Sequence, residues 1–222
     1  MFGQLPWPVS IMKKRVVIFG NGKLLPNFLE QIKPDDYIIG VDRAAYWLLT
    51  HGIIPNVAIG DFDSVTKEEM RLITNSIRIV KKFSSDKNWT DMELAVKFAI
   101  KQNPSEVVIV GGTGTRHDHT LATLHILDQL LKAGISHTFL DATNRIRLIG
   151  RGKTIIKKAS YRYISILPYT KNILVSLHGF RYNLIRKILK QGTTIGISNE
   201  LLTSQGVIRL FSGKAWVMES ND

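Results

Sequence analysis

Two carboxylates, Asp61 and Asp63, stand two residues apart in GDFDSV, directly after the apolar run Val57, Ala58, Ile59. Like charges this close raise each other's pKa and cost stability. Either both face water or a cation lies between them. Magnesium suits the second case, because it takes one or two carboxylates and leaves its other positions to water and phosphate oxygens. Asp86 and Asp91 offer further carboxylates a little later in the chain. An anion site is offered by Gly111, Gly112, Thr113, Gly114, Thr115 and Arg116. Glycines let backbone N–H groups approach an anion, and a helix N-terminus favours negative charge. Arg116 adds a fork suited to phosphate, and Asp118 follows it. The loop lacks the Gly-Lys-Ser/Thr ending of a Walker A motif. Singly, each feature has a plainer explanation: a tight strand-to-helix turn needs glycine, and Asp63 or Ser64 could cap the next helix. Thr90 and Glu93 are explained by a capping box, and the helix dipole partly explains Asp91. Arg116-His117-Asp118-His119 does not read as a zinc site, since histidines two apart share no helical face. Taken together, the residues point to Mg²⁺ carrying a nucleotide polyphosphate, and to transfer or hydrolysis of a phosphoryl or pyrophosphoryl group.

Short apolar runs at 15–20, 37–42, 57–60, 77–80, 106–110 and 137–142 predict six strands. Helices are predicted over 44–49, after the capping boxes Thr66–Glu69 and Thr90–Glu93, and through Leu124, Leu127 and Leu131 up to Gly134. Alternation of this kind means a mostly parallel sheet with helices on both faces. Ligands in such sheets bind beyond the carboxyl ends of the strands. Asn21-Gly22, Asp42, Asp61/Asp63 and Gly111 to Asp118 all fall there. After residue 144 the pattern changes to short strand-like runs, TTIGIS (193–198) among them, with one possible helix at Leu184–Leu189. The predicted fold class is therefore α/β plus all-β: a catalytic α/β domain over 1–145, with 1–11 peripheral, and a β-sandwich over 146–222.

The sequence has 222 residues and no cysteine, which excludes disulfides and thiolate metal sites. No apolar run reaches the roughly 20 residues of a membrane helix. Prolines at 6 and 8 interrupt any signal-like start, so the expected location is the cytoplasm. The formal net charge is +12, of which +9 belongs to residues 151–222. Such a surface fits nucleic acid, an anionic small substrate or simple solvation. No helix-turn-helix, zinc-finger or RRM aromatic pattern accompanies it, so no specific nucleic-acid partner is expected.

The motifs GDFDSV (60–65), DKNWTDMELAV (86–96), GGTGTRHDHTLATLHIL (111–127) and GISNEL (196–201) resemble, in order and spacing, those of the thiamine pyrophosphokinase family. The resemblance spans roughly residues 13–220. It implies an α/β ATP-binding domain followed by a β-sandwich, and homodimers with active sites between subunits. It implies Mg²⁺-dependent transfer of the pyrophosphoryl group of ATP to the hydroxyl of thiamine, with AMP released. Asp61, Asp63 and Asp91 would be Mg²⁺ ligands with Asp86 nearby. Arg116 and Asp118 would belong to the nucleotide and substrate site, beside Asn21, Asp42, Gly111, Gly112 and Thr113. Ser198 and Asn199 would hold the thiamine pyrimidine. Either Asp91 or Asp118 could take the hydroxyl proton. Arg43, Tyr46 and Trp47 depart from the family's small, polar pattern after Asp42, and Thr115 stands where the loop often has glycine. GDFDSV also fits the Asp-x-Asp-x-Thr/Val signature of haloacid-dehalogenase-type phosphatases, with Asp61 as nucleophile. That family's late acidic pair has no counterpart here, since the only Asp-Asp, at 35–36, precedes the motif.

Overall fold

The computed structural model describes residues 14–86 and 88–222; the expectation for residues 1–11 lies outside them. The chain divides into two compact units between Phe139 and Leu140.

The first unit is built on β1 (Arg15–Phe19), β2 (Tyr37–Val41), β3 (Val57–Gly60), β4 (Val80–Lys82), β5 (Glu106–Val110) and β6 (Ser136–Leu140), in the sheet order β4-β3-β2-β1-β5-β6. Helices α1 (Arg43–Thr50), α2 (Lys67–Ser76), α3 (Asp91–Lys101) and α4 (His117–Lys132) alternate with them. The pairings β1–β2, β2–β3, β3–β4 and β1–β5 are parallel. Val16 to Phe19 and Val107 to Val110 are buried along their whole runs, as strands covered on both faces require. The chain builds the sheet outward from β1 to β4, then returns to the other side of β1 with β5. The connections diverge between β1 and β5, and a crevice opens there beyond the strand ends.

One predicted element of this unit shifts. The apolar run 77–80 was expected to form a strand, but β4 begins only at Val80. Ile77 closes α2 by donating its N–H to Ile73 O (2.9 Å), and its side chain is buried with Phe62 and Ile73. The run thus serves a helix end first and a strand second. Thr66 and Glu69 form a reciprocal capping box. At α3, Thr90 accepts from the Glu93 N–H (3.2 Å), while the Glu93 carboxylate accepts from Gln129 Nε2 (3.0 Å) and pairs with Lys97.

Asp36 lies just before β2 and fixes the start of β1 through Arg15, with Nε–Oδ1 2.9 Å and Nη2–Oδ2 2.6 Å. Burial pushes the Asp36 carboxyl up. The Arg15 guanidinium and the Lys33 N–H outweigh that effect and hold it below the usual range. The stability it contributes is present above the unfolded carboxyl value near ~3.9 and is lost as pH falls through the lower folded value. Asp36→Asn is expected to cost about 2 kcal/mol at pH 7, and the difference from wild type should shrink below pH ~4. Urea titrations at pH 7 and pH 3 would check this; an equal cost at both would contradict it.

The second unit is antiparallel throughout. One sheet runs β7-β13-β9, from β7 (Asn144–Ile149), β13 (Ala215–Ser220) and β9 (Tyr163–Pro168). The other runs β11-β10-β12-β8, from β11 (Leu184–Lys190), β10 (Asn172–His178), β12 (Gln205–Ser212) and β8 (Gly152–Lys157). Ile164, Ile166 and Val217 of the first sheet share one core with Ile173, Val175, Leu177, Ile208 and Leu210 of the second, and Phe180 is fully buried among them. Alternate residues of facing sheets interdigitating in this way make a sandwich. Leu184–Leu189 is therefore strand, not helix. Leu184 pairs with Leu177 and Leu189 with Ile173, while Ile185 and Ile188 between them stay exposed. TTIGIS (193–198) forms no strand. Gly192 and Gly196 adopt φ of +82° and +105°, so the segment turns, and Asn199 makes only an isolated bridge to Ile164.

Candidate active site

The loops after β1 and β5 meet at the crevice. Gly20 N–H donates to Val110 O (2.8 Å), Gly22 N–H to Gly111 O (2.8 Å) and Lys23 N–H to Thr113 O (2.7 Å). The parallel pairing of the two strands is thus continued into their loops. Gly111 has φ +65°, and a Cβ there would strike Leu24 and lie 2.7 Å from Gly20 O, so only glycine lets the loops approach. Beside them is a cavity of about 790 Å³, lined by residues from the ends of β1, β2, β3 and β5 and from the starts of α3 and α4.

Three carboxylates converge in that cavity. Oxygens of Asp42, Asp61 and Asp91 lie within 4.8 Å of one another. Each comes from a different connection: Asp42 follows β2, Asp61 follows β3, and Asp91 opens α3. The β2–β3 register, with Val41 opposite Ile59, carries Asp42 alongside Gly60 and Asp61. Asp42 N–H donates to Ile59 O (2.9 Å), and Asp42 Oδ1 accepts the Phe62 N–H (3.0 Å). Asp42 and Phe62 both take positive φ, +50° and +58°, an uncommon backbone for side-chain-bearing residues that clusters at functional sites. The turn at Phe62 buries its ring under α2 and separates the side chains on either side of it. Asp61 joins the cluster, and Asp63 lines the same cavity with its N–H on Asp61 Oδ1 (3.2 Å).

Burial, then the charges of Asp91, Asp61 and Asp63, push the Asp42 carboxyl up to about 7 against the pull of the Phe62 N–H. Three oxygen donors of like charge in one spot fit a hard divalent cation, whose charge removes the repulsion. Gly60 makes room for the cluster, because a Cβ there would fall on Asp42 Oδ1. Gly60→Ala is expected to displace that carboxylate and cost about 1–3 kcal/mol, the usual range for overpacking. Thermal melts would read the loss, and a melting temperature equal to wild type would show that the cradle is roomier than the geometry allows.

Arg116 and Asp118 stand at the start of α4 and pair with each other, Nε–Oδ1 3.2 Å and Nη2–Oδ2 2.5 Å, both well exposed. The hydrogen bond from Arg116 holds the Asp118 carboxyl down to about 2. Asn21, Gly111 and Gly112 also line the cavity. The Thr113 carbonyl is engaged by Lys23, and the flanking Gly114 and Thr115 line the cavity instead. Asp86 is exposed, binds Ser84 Oγ through its own N–H (3.2 Å), and is not among the lining residues. Ser198 and Asn199 belong to the second unit. Ser198 is exposed and Asn199 is buried, with its amide hydrogen-bonded to Tyr182 and Glu200. Sequence reasoning set Asp42 with the nucleotide and did not join it to the carboxylates. Only the β2–β3 register reveals that neighbour relation.

The catalytic-domain model of thiamin pyrophosphokinase matches residues 28–139, and the vitamin B1 binding-domain model of the same enzyme matches residues 153–214. A thiamine pyrophosphokinase of Bacillus subtilis is 34% identical over 209 residues, 93% of this chain and 98% of that relative. The crystal structure of thiamine pyrophosphokinase from Bacillus subtilis matches 94% of this chain and 100% of its own, with TM-score 0.88 and 34% identity. That of the Geobacillus thermodenitrificans protein covers 94% of this chain and 98% of its own, with TM-score 0.84 and 30% identity. Among the described residues no helix is long and apolar enough to cross a membrane. With both units matched in order and a bacterial relative alike along nearly its whole length, the chain belongs to the thiamin pyrophosphokinase family of transferases.

Proposed function

We propose that this chain transfers the pyrophosphoryl group of ATP to the hydroxyl of thiamine, giving thiamine diphosphate and AMP, with Mg²⁺ held at Asp42, Asp61 and Asp91 and Asp63 beside them. The observation that carries this reading is the convergence of three carboxylates within 4.8 Å in a cavity that also holds the glycine loop and Arg116. Bound there, Mg²⁺ would neutralise phosphate charge as the transfer proceeds. The remaining work falls to the chain. The glycine loop and the start of α4 receive phosphate oxygens through backbone N–H groups. Arg116, oriented by Asp118, adds a fixed positive charge. The thiamine hydroxyl attacks the β-phosphorus in line and AMP leaves, a step that depends chiefly on positioning. The sequence offers two carboxylates as acceptor of the hydroxyl proton, Asp91 beside the metal cluster and Asp118 in its pair with Arg116.

Ser198 and Asn199 are assigned to the thiamine side by the resemblance of GISNEL (196–201) to the family motif, and the match of residues 153–214 to a vitamin B1 binding domain supports that side of the molecule. We further propose a cytoplasmic homodimer with shared active sites, which sedimentation of a two-chain particle would test first. Incubation with ATP, Mg²⁺ and thiamine should yield thiamine diphosphate and AMP in equal amounts. ADP as the nucleotide product would overturn pyrophosphoryl transfer, and a labelled phospho-aspartate would instead revive the phosphatase reading of Asp61.

A further inference from the structure

Asp42 sits at φ +50° and ψ −128°, a backbone conformation that side-chain-bearing residues rarely adopt and that persists only where the surroundings impose it. Part of the constraint is its own: its N–H donates to Ile59 O (2.9 Å), its carbonyl accepts the Ala45 N–H (3.0 Å), and its Oδ1 accepts the Phe62 N–H (3.0 Å). The next residue supplies a further one. Arg43 opens α1 and donates from Nε (3.1 Å) and Nη2 (2.7 Å) to Glu69 Oε1. Glu69 is buried at the third position of α2. Its other oxygen accepts the Thr66 N–H (2.9 Å), and its own N–H donates to Thr66 Oγ1 (3.2 Å). Thr66 follows Val65, whose N–H donates to Phe62 O (3.3 Å). A circuit closes in this way: it runs from Asp42 through Arg43, Glu69, Thr66 and Val65 to Phe62, and returns through the Phe62 N–H to the Asp42 carboxylate. Asp61 and Asp63 flank Phe62. The turn bearing Asp42 and the turn bearing Asp61 are thus joined twice, once by the Asp42–Phe62 bond and once through Arg43.

We propose that Arg43 is a positioning residue of the metal site: through Glu69 it fixes the Asp42 turn, and with it the spacing of the Asp42 and Asp61 carboxylates. The proposal rests on the reading of Asp42, Asp61 and Asp91 as the seat of Mg²⁺. The Arg43 side chain is 55% exposed, and an ion pair so open to solvent adds little to global stability. The capping box of α2 needs no cation either, so the consequence of the bridge is geometric. A metal ligand serves only when its approach is closely held, and residues that orient ligands are commonly worth about 10–100-fold in metal affinity. Arg43 acts through the backbone of Asp42, so the lower end, about tenfold, is expected. Charge alone makes the opposite prediction. A cation one residue from an acidic cluster competes with Mg²⁺ for it, so removing that cation would tighten metal binding if its charge were all that mattered. The sign of the change separates the two.

Titration of the full chain with Mn²⁺ alone, followed by the electron paramagnetic resonance of the free ion, tests this without turnover. Mn²⁺ stands in for Mg²⁺ because it takes the same octahedral oxygen sites. Asp61→Asn should weaken the wild-type titration and so assign it to the cluster. Arg43→Met removes the guanidinium. Glu69→Gln keeps a capping-box residue, but its single amide oxygen cannot serve both Thr66 and Arg43. Each should weaken Mn²⁺ binding about tenfold, with a melting temperature close to that of the wild type. The double variant should bind no worse than either single one, because both changes break one circuit. Should Arg43→Met fail to fold, Glu69→Gln alone decides. Variants that bind Mn²⁺ as tightly as the wild type, or more tightly, would overturn the inference and leave the metal site standing. So would losses that simply multiply in the double variant. A wild type that binds no Mn²⁺, or a titration that Asp61→Asn leaves unchanged, would sink the metal reading of the cluster, and the role of Arg43 with it.

Discussion

Asp61→Asn is expected to cut turnover by two to three orders of magnitude, the scale of a lost electrostatic stabiliser, while the metal-free protein melts at the same temperature or higher. The two effects have one cause. Asp42, Asp61 and Asp91 bring three carboxylate oxygens within 4.8 Å, and burial together with its neighbours' charges lifts the Asp42 carboxyl to about 7. Without a cation the cluster opposes folding, so an amide at Asp61 relieves repulsion. With the cation the same amide withholds a charged ligand. Asp63→Asn should cost less, because Asp63 lines the cavity outside the converging set. Turnover measured across Mg²⁺ concentrations, beside calorimetric melts without metal, separates the effects. Normal turnover by Asp61→Asn at every Mg²⁺ concentration would remove Asp61 from the metal site. A lower melting temperature without metal would show that its carboxylate is a structural anchor instead.

What sequence could read of this site follows from what is local in it. Asp61, Asp91, the glycine loop and Arg116 announce themselves by residue type beside a strand end or a capping box, and all line one cavity. Asp42 was legible as a polar residue at a strand end, but its place among the ligands depends on Val41 standing opposite Ile59, and register is a relation between segments. The sequence offers Asp86 and Asp91 together as further carboxylates, both within the matched stretch 86–96. The difference is that Asp91 is the first residue of α3 and is held by that helix, whereas Asp86 lies in the loop before it. The alternating segments of the first unit gave its parallel sheet correctly. Leu184–Leu189 misled because Leu184, Ile185, Ile188 and Leu189 stand at i+3 and i+4 spacings that suit a helix face, while β11 borders the sheet and leaves Ile185 and Ile188 exposed. An edge strand with exposed apolar residues lacks the clean alternation by which strands are recognised.

Asn199→Ala is expected to lower the melting temperature by on the order of 10 °C, a larger structural loss than a surface binding residue should show. Asn199 is 2% exposed. Its Oδ1 accepts the N–H groups of Tyr182 and Glu200, both at 3.0 Å, and its Nδ2 donates to Tyr182 O at 2.8 Å. Its backbone meanwhile pairs with Ile164 in both directions, at 3.0 and 2.7 Å. The amide thus ties the segment after β10 to the segment before β12, next to the buried Phe180. Alanine would strip partners from three part-buried backbone groups, at about 1–3 kcal/mol for each that water does not reach. For a chain of this length each kcal/mol shifts the melting point by roughly 2–4 °C. Ser198 beside it is exposed, takes φ +53°, and uses its backbone N–H on Ser165 Oγ (3.0 Å), a bond that Ser198→Ala leaves in place. That variant should melt like the wild type and, if GISNEL (196–201) holds thiamine as proposed, raise the KM for thiamine with little change in that for ATP. An Asn199→Ala protein that melts normally but loses thiamine affinity would make the amide a substrate contact, as the family motif implies, and not a clamp on the Tyr182 segment.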